Sequence, residues 1–171
     1  GFAVLGRVFM VAFVSLKVDW AMILIPLAIL TMAIGNIVAL SQTNIKRMLA
    51  YSSIAHAGYA LLGIITANSD GMASMMNYLM IYAFMNIGAF TIVILMGRKG
   101  AENTGIDSYA GLAGRHPLLA LSMSIFLLSL AGIPPLAGFM GKFYVLSAAV
   151  KAQFYWLAVI GVLNSVVAVY Y

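Results

Sequence analysis

Residues 21–40 read AMILIPLAILTMAIGNIVAL, a run of twenty without a single charge. A helix rises 1.5 Å per residue, so about 20 apolar residues match the ~30 Å hydrocarbon core of a bilayer. Comparable runs recur along the chain, and this recurrence constrains the fold more than any motif does. Spans are predicted at 1–16 (cut short at its start), 21–40, 48–67, 73–96, 117–150 and 154–171 (cut short at its end). Only 8% of the residues are charged and 64% are hydrophobic, whereas soluble domains carry about 25% charge. A transmembrane barrel would need alternating strands of about ten residues, and these runs do not alternate. The expected fold is all-α, a polytopic transmembrane helical bundle. Gly1 and Tyr171 both fall inside apolar runs, so 1–171 reads as a single membrane segment of a larger subunit.

The absence of cysteine excludes disulfides, thiolate metal sites and cysteine nucleophiles. His56 and His116 lie far apart with no carboxylates patterned around them, so no metal site is expected. The net charge of +5 does not read as nucleic-acid binding, because most cations sit where helix ends meet headgroups. Lys46, Arg47, Arg98, Lys99 and Arg115 fall on one side of the predicted spans, Lys17 and Lys151 on the other. That excess assigns the 41–47 and 97–116 connections to the cytoplasm or its equivalent.

Span 117–150 is too long. As one helix it would reach about 50 Å against a ~30 Å core. Pro134 and Pro135 lie near its middle, and proline removes an amide donor and clashes with the preceding turn. The helix is therefore predicted to break there. Broken backbone at membrane depth survives where protein or water satisfies the freed groups, as it does at transporter ion sites. A plain proline kink is the blander reading.

Two charges fall away from span ends, Arg7 and Lys142. A lysine at membrane depth costs roughly 2.5–3.5 kcal/mol, a penalty similar in size to that of releasing its proton. Without a fixed counter-ion such an amine is poised between charged and neutral forms, as a proton relay requires. The competing reading is that Lys142 snorkels. It precedes Lys151 by about 13 Å of helix, a long way for its own stem to bridge. Arg7 stays charged at physiological pH and reads as an electrostatic tuner or as a partner for a carboxylate elsewhere.

His56 shares its helical face with Ser52, Tyr59 and Gly63. Imidazole can accept a proton at one nitrogen and donate from the other, so His56 is a relay candidate or a packing residue. Tyr78, Tyr82 and Asn86 recur every fourth residue and form one polar stripe, which holds water or bonds neighbouring helices. Thr31, Gly35 and Asn36 read as helix-packing residues.

The stretches NIVALSQTNIKRMLAYSSIAHAGYALLGI and SLAGIPPLAGFMGKFYVLSAAV carry a resemblance. With GFAVLGRVF, YLMIYAFMNIGAF and the run into the prolines, they make the whole chain similar to the antiporter-like subunits of NADH:quinone oxidoreductase (respiratory complex I), the N type in particular. The resemblance implies the proton/cation antiporter-like fold, with this piece matching the eighth to thirteenth of fourteen membrane helices and 117–150 the broken twelfth. It implies a proton-translocating, non-redox subunit. Lys142 matches the lysine at the outer end of a midplane proton relay, and His56 a histidine between that lysine and the central one. Tyr78, Tyr82 and Asn86 stand where the larger relatives carry histidines and a lysine, which favours the N type. No cofactor is expected in this chain; NADH, FMN, iron–sulfur clusters and quinone belong to other subunits. The partners implied are neighbouring membrane subunits, lipid, protons and water, with no nucleic acid. The location implied is a bacterial inner membrane rather than an organellar one. Readings left open are a sodium/proton antiporter subunit of the same fold, a transporter for an organic solute, and a structural membrane subunit without an ion path of its own.

Overall fold

The computed structural model describes residues 1–97 and 104–171. Arg98 and Lys99, counted above among the loop charges, lie outside the described residues. The described residues are mostly helical, with α1 (Phe2–Arg7), α2 (Lys17–Leu40), α3 (Ile45–Ile65), α4 (Ser69–Met96), α5 (Leu112–Arg115), α6 (Pro117–Ala131), α7 (Ala137–Lys151) and α8 (Tyr155–Tyr170). It is a membrane bundle of the expected class. Val4, Met22, Ile23, Leu30, Ile37 and Trp156 are exposed on its flanks, which suits a lipid or subunit environment and not water.

Helices α3 and α4 start earlier than their apolar windows, because caps and not hydropathy set their first residues. Asn44 accepts the amides of Lys46 and Arg47 at 2.9 and 3.2 Å, so α3 opens at Ile45 and not at 48. Asn68 accepts the Gly71 amide at 2.7 Å, so α4 opens at Ser69 and not at 73. A side-chain oxygen at this position satisfies amides that the first turn leaves without partners. These first turns carry Lys46, Arg47 and Asp70, charged residues that an apolar window leaves out.

Two connections meet at one end of the bundle. The Ile45 amide donates to Thr104 O at 2.8 Å and the Ile106 amide to Thr43 O at 3.0 Å, clasping Asn44 against Gly105. At the opposite end Lys151 meets Asp70 at 3.6 Å, both exposed.

Pro26 lies inside α2 without ending it, whereas Pro134 and Pro135 do end a helix. The difference lies just upstream. Gly132 adopts φ +90°, a left-handed conformation that closes α6; the Gly132 and Ile133 amides both donate to Leu128 O at 3.1 Å. Glycine takes that conformation at no steric cost. The Pro134–Pro135 bond is cis, and α7 begins at Ala137. Ser129 spans the break: its hydroxyl accepts the Gly138 amide at 3.0 Å and donates to Met85 Sδ at 2.8 Å.

Two apolar clusters fill the interior. One gathers Trp20, Leu24, Leu62, Ile64 and Val145, and the other Ile45, Leu49, Ile92, Val93 and Met123. Along α3 and the broken helix α6–α7, the buried polar residues are Ser52, His56, Ser129 and Lys142.

Candidate functional site

Lys142 lies on α7, just past the break, and is only 3% exposed. Its amine donates to Ala131 O at 2.8 Å and to Ser165 Oγ at 3.1 Å. Ala131 is the last residue of α6, where a carbonyl has no helical partner. The Ser165 hydroxyl donates to the same carbonyl at 3.2 Å. Above the amine lies the Tyr59 ring, 5.1 Å from nitrogen to centroid, within range of a cation–π attraction. A snorkelling lysine would be exposed, and this one is not.

None of these partners is charged. The described carboxylates Asp19, Asp70 and Asp107 are all exposed. A neutral amine has two N–H donors, which Ala131 O and Ser165 Oγ receive. An ammonium has a third, which meets the π face of Tyr59. Gly132 keeps the pocket open: a Cβ there would stand 3.0 Å from Lys142 Cδ and 3.2 Å from Nζ.

His56, 4% exposed, shares a short hydrogen bond between its Nδ1 and the Tyr78 hydroxyl. Tyr82 stacks on the imidazole with centroids 4.7 Å apart. Tyr59 stands 6.3 Å from His56 and 6.1 Å from Tyr78, centroid to centroid. Its hydroxyl is held by Gly161 O at 2.7 Å, so Tyr59 offers Lys142 its face, not its oxygen. The aromatic group thus joins the imidazole to the amine.

The other sequence candidates scatter. Tyr78 bonds to His56, Tyr82 stacks on it, and Asn86 is half-buried further along α4. Ser52 is buried and borders a cavity shared with Ala131 and Tyr171. Arg7 is exposed on α1, with no ion pair to any described residue. Pro134 borders the cavity that holds Lys142, and Pro135 completes the turn into α7. Among the described residues no three His, Cys, Asp or Glu side chains come together as a metal site.

Ser165, Ala131 O, Ser129 and the Asn36 partners Asn164 and Tyr171 emerge only from the structure, whereas Asn36 itself is expected from the sequence as a helix-packing residue. Asn36 Nδ2 donates to Asn164 O at 3.0 Å, and the Tyr171 hydroxyl donates to Asn36 Oδ1 at 2.8 Å. The available signal was the pair Asn164–Ser165, polar inside the otherwise apolar GVLNSVVAVY.

Residues 1–168 match the family described as "NADH:quinone oxidoreductase/Mrp antiporter, TM". The whole chain is 54% identical to NADH-quinone oxidoreductase subunit N of Trichlorobacter lovleyi, of which it covers 35%. It is 49% identical to NAD(P)H-quinone oxidoreductase subunit 2 of Synechocystis, covering 33% of that protein. Among solved structures, a chain of respiratory complex I from Thermus thermophilus with bound aureothin superposes with a TM-score of 0.76 at 35% identity, over 88% of this chain and 34% of that one. The chain therefore spans about a third of the length of the curated relatives it matches.

Proposed function

The chain belongs to the NADH:quinone oxidoreductase/Mrp antiporter transmembrane family, and from that premise we propose that it is part of a proton-translocating, non-redox membrane subunit of complex I. The observation that carries this reading is the buried Lys142 amine at a helix break, held only by uncharged partners. Permanent pairing with a carboxylate would lock it as an ammonium. Here the proton can leave while both remaining N–H groups stay bonded.

A proton comes from further along the membrane arm and is taken up at His56, whose second nitrogen is tied to Tyr78. Water beside the aromatic group carries it to Lys142. Release follows into the cavity of about 340 Å³ that Lys142, Gly132, Pro134 and Ser165 border. Electron transfer through NADH, FMN, iron–sulfur clusters and quinone takes place in other subunits, and the site is a bacterial inner membrane with neighbouring membrane subunits on either side. The clasped end of the bundle faces the cytoplasm, in keeping with its lysine and arginine excess.

The test is Lys142→Ala in the assembled complex. Proton pumping falls while the complex still assembles and oxidises NADH; unchanged pumping would instead support a structural role. The antiporter half of the family description favours a second reading, exchange of Na⁺ for protons by the same lysine. Dependence of pumping on Na⁺ separates the two.

A further inference from the structure

Helix α8 has little reason of its own to sit at one rotation. Its outward residues Val159, Val162, Leu163 and Val166 are exposed, and its buried ones, apart from Leu157, are the small Ala158, Gly161 and Ala168. In lipid an apolar side chain loses nothing by facing outward, so no hydrophobic force orients such a helix. Small inward residues also offer few atoms for contact. The rotation nevertheless matters, because Ser165 meets Lys142 at 3.1 Å and Ala131 O at 3.2 Å. A turn of about 25° would carry an atom ~5 Å from the helix axis sideways by about 2 Å, beyond hydrogen-bond reach.

Polar bonds do what packing does not. One turn before Ser165, Gly161 O receives the Tyr59 hydroxyl at 2.7 Å. Asn164, the residue next to Ser165, is held from α2: Asn36 Nδ2 donates to its backbone oxygen at 3.0 Å and to its side-chain oxygen at 3.2 Å. Asn36 is only 1% exposed. The Tyr171 hydroxyl donates to its Oδ1 at 2.8 Å, which turns the amide nitrogen toward Asn164. The footing of Asn36 is firm as well. A Cβ on the neighbouring Gly35 would stand 2.6 Å from Ala55 N and 3.0 Å from Tyr51 O. Helix α2 therefore lies backbone to backbone on α3, the helix that carries His56 and Tyr59.

We infer that Asn36 is a positioning residue for the lysine site: through Asn164 it fixes the rotation of α8 and thereby keeps Ser165 on the Lys142 amine. It acts one residue away from the hydroxyl, by way of the α8 backbone. Its consequence for pumping rests on the proton role of Lys142, whereas its consequence for the position of Ser165 does not. An average interhelical hydrogen bond in a bilayer shifts a population about threefold. Losing the Asn36 bond therefore leaves α8 in place but often wrongly turned.

The test is Asn36→Leu in the assembled complex, a change of similar volume that cannot hydrogen-bond. Where it does not assemble, Asn36→Ala takes its place. Electron cryomicroscopy of the variant shows Ser165 displaced from Lys142; a Ser165 that stays on the amine overturns the inference, whatever the activity. In membrane vesicles the ratio of protons pumped to NADH oxidised falls about threefold, to the level of Ser165→Ala, and the double variant falls no further. Losses that multiply in the double variant would make Asn36 a packing residue and overturn its assignment. Thr31→Val removes a hydroxyl that bonds to carbonyls of α2 itself and leaves the ratio unchanged. An equal fall there would mark general damage to α2 and would count against Asn36. Should Ser165→Ala itself leave pumping intact, the proposed function loses that hydroxyl, while the position of Ser165 in Asn36→Leu still decides this inference.

Discussion

Lys142 and Ala131 belong to the two halves of one broken helix, and the amine of the first donates to the last carbonyl of the second at 2.8 Å. The break and the lysine thus explain each other. Ending α6 at Ala131 frees a carbonyl that lipid cannot solvate, and the amine that needs a partner at that depth supplies the donor.

Charge and titration separate at position 142. Lys142→Arg keeps a permanent cation but cannot release its proton at physiological pH. It should lower the ratio of protons pumped to NADH oxidised as severely as Lys142→Ala does, measured in vesicles with a pH-sensitive dye. Full pumping with arginine would show that a fixed positive charge suffices.

Ser165→Ala removes one of two acceptors and leaves Ala131 O in place. Losing a hydrogen bond to a charged group costs about 1.5–3 kcal/mol. The complex should assemble with pumping reduced but not abolished, and Ser165→Thr, which retains the hydroxyl, should recover much of it. Coupled turnover of the pair decides the matter.

His56→Ala should reduce coupled turnover, and Tyr78→Phe should do so less. The phenylalanine ring still fills the space beside the imidazole and loses only the hydroxyl that bonds to Nδ1. Unimpaired coupling in His56→Ala would leave that residue a packing role.

Gly132→Ala tests the hinge itself. The φ of +90° costs a side-chain-bearing residue about 1–2 kcal/mol, and the new methyl crowds the lysine. Thermal unfolding of the purified complex should shift downward. Gly114→Ala, where a Cβ meets nothing within 4 Å, should leave it unchanged.

Much of this molecule was legible as a string of residues. Uncharged runs near twenty residues long require helices across a bilayer, because only hydrogen bonds within the segment can satisfy the backbone there. Pro134–Pro135 in the middle of an over-long span marked the break, while the part of Gly132 in closing α6 came only with its backbone conformation. A lone lysine in that stretch marks a candidate site through the cost of its charge.

Which side chains meet was not legible, since the helices are apolar nearly all round, and a polar stripe such as Tyr78, Tyr82 and Asn86 does not say which neighbour it meets. Tyr78, Tyr82 and Asn86 share one helical face in sequence, yet one bonds to His56, one stacks on it and one lies apart. Ser165 finds Lys142, and Tyr171 finds Asn36, only because α8 packs in a particular rotation against α2 and α6. Spans and their break follow from the thermodynamics of backbone and charge in lipid, which act residue by residue. The lysine pocket depends on helix rotation, which close packing between distant segments decides.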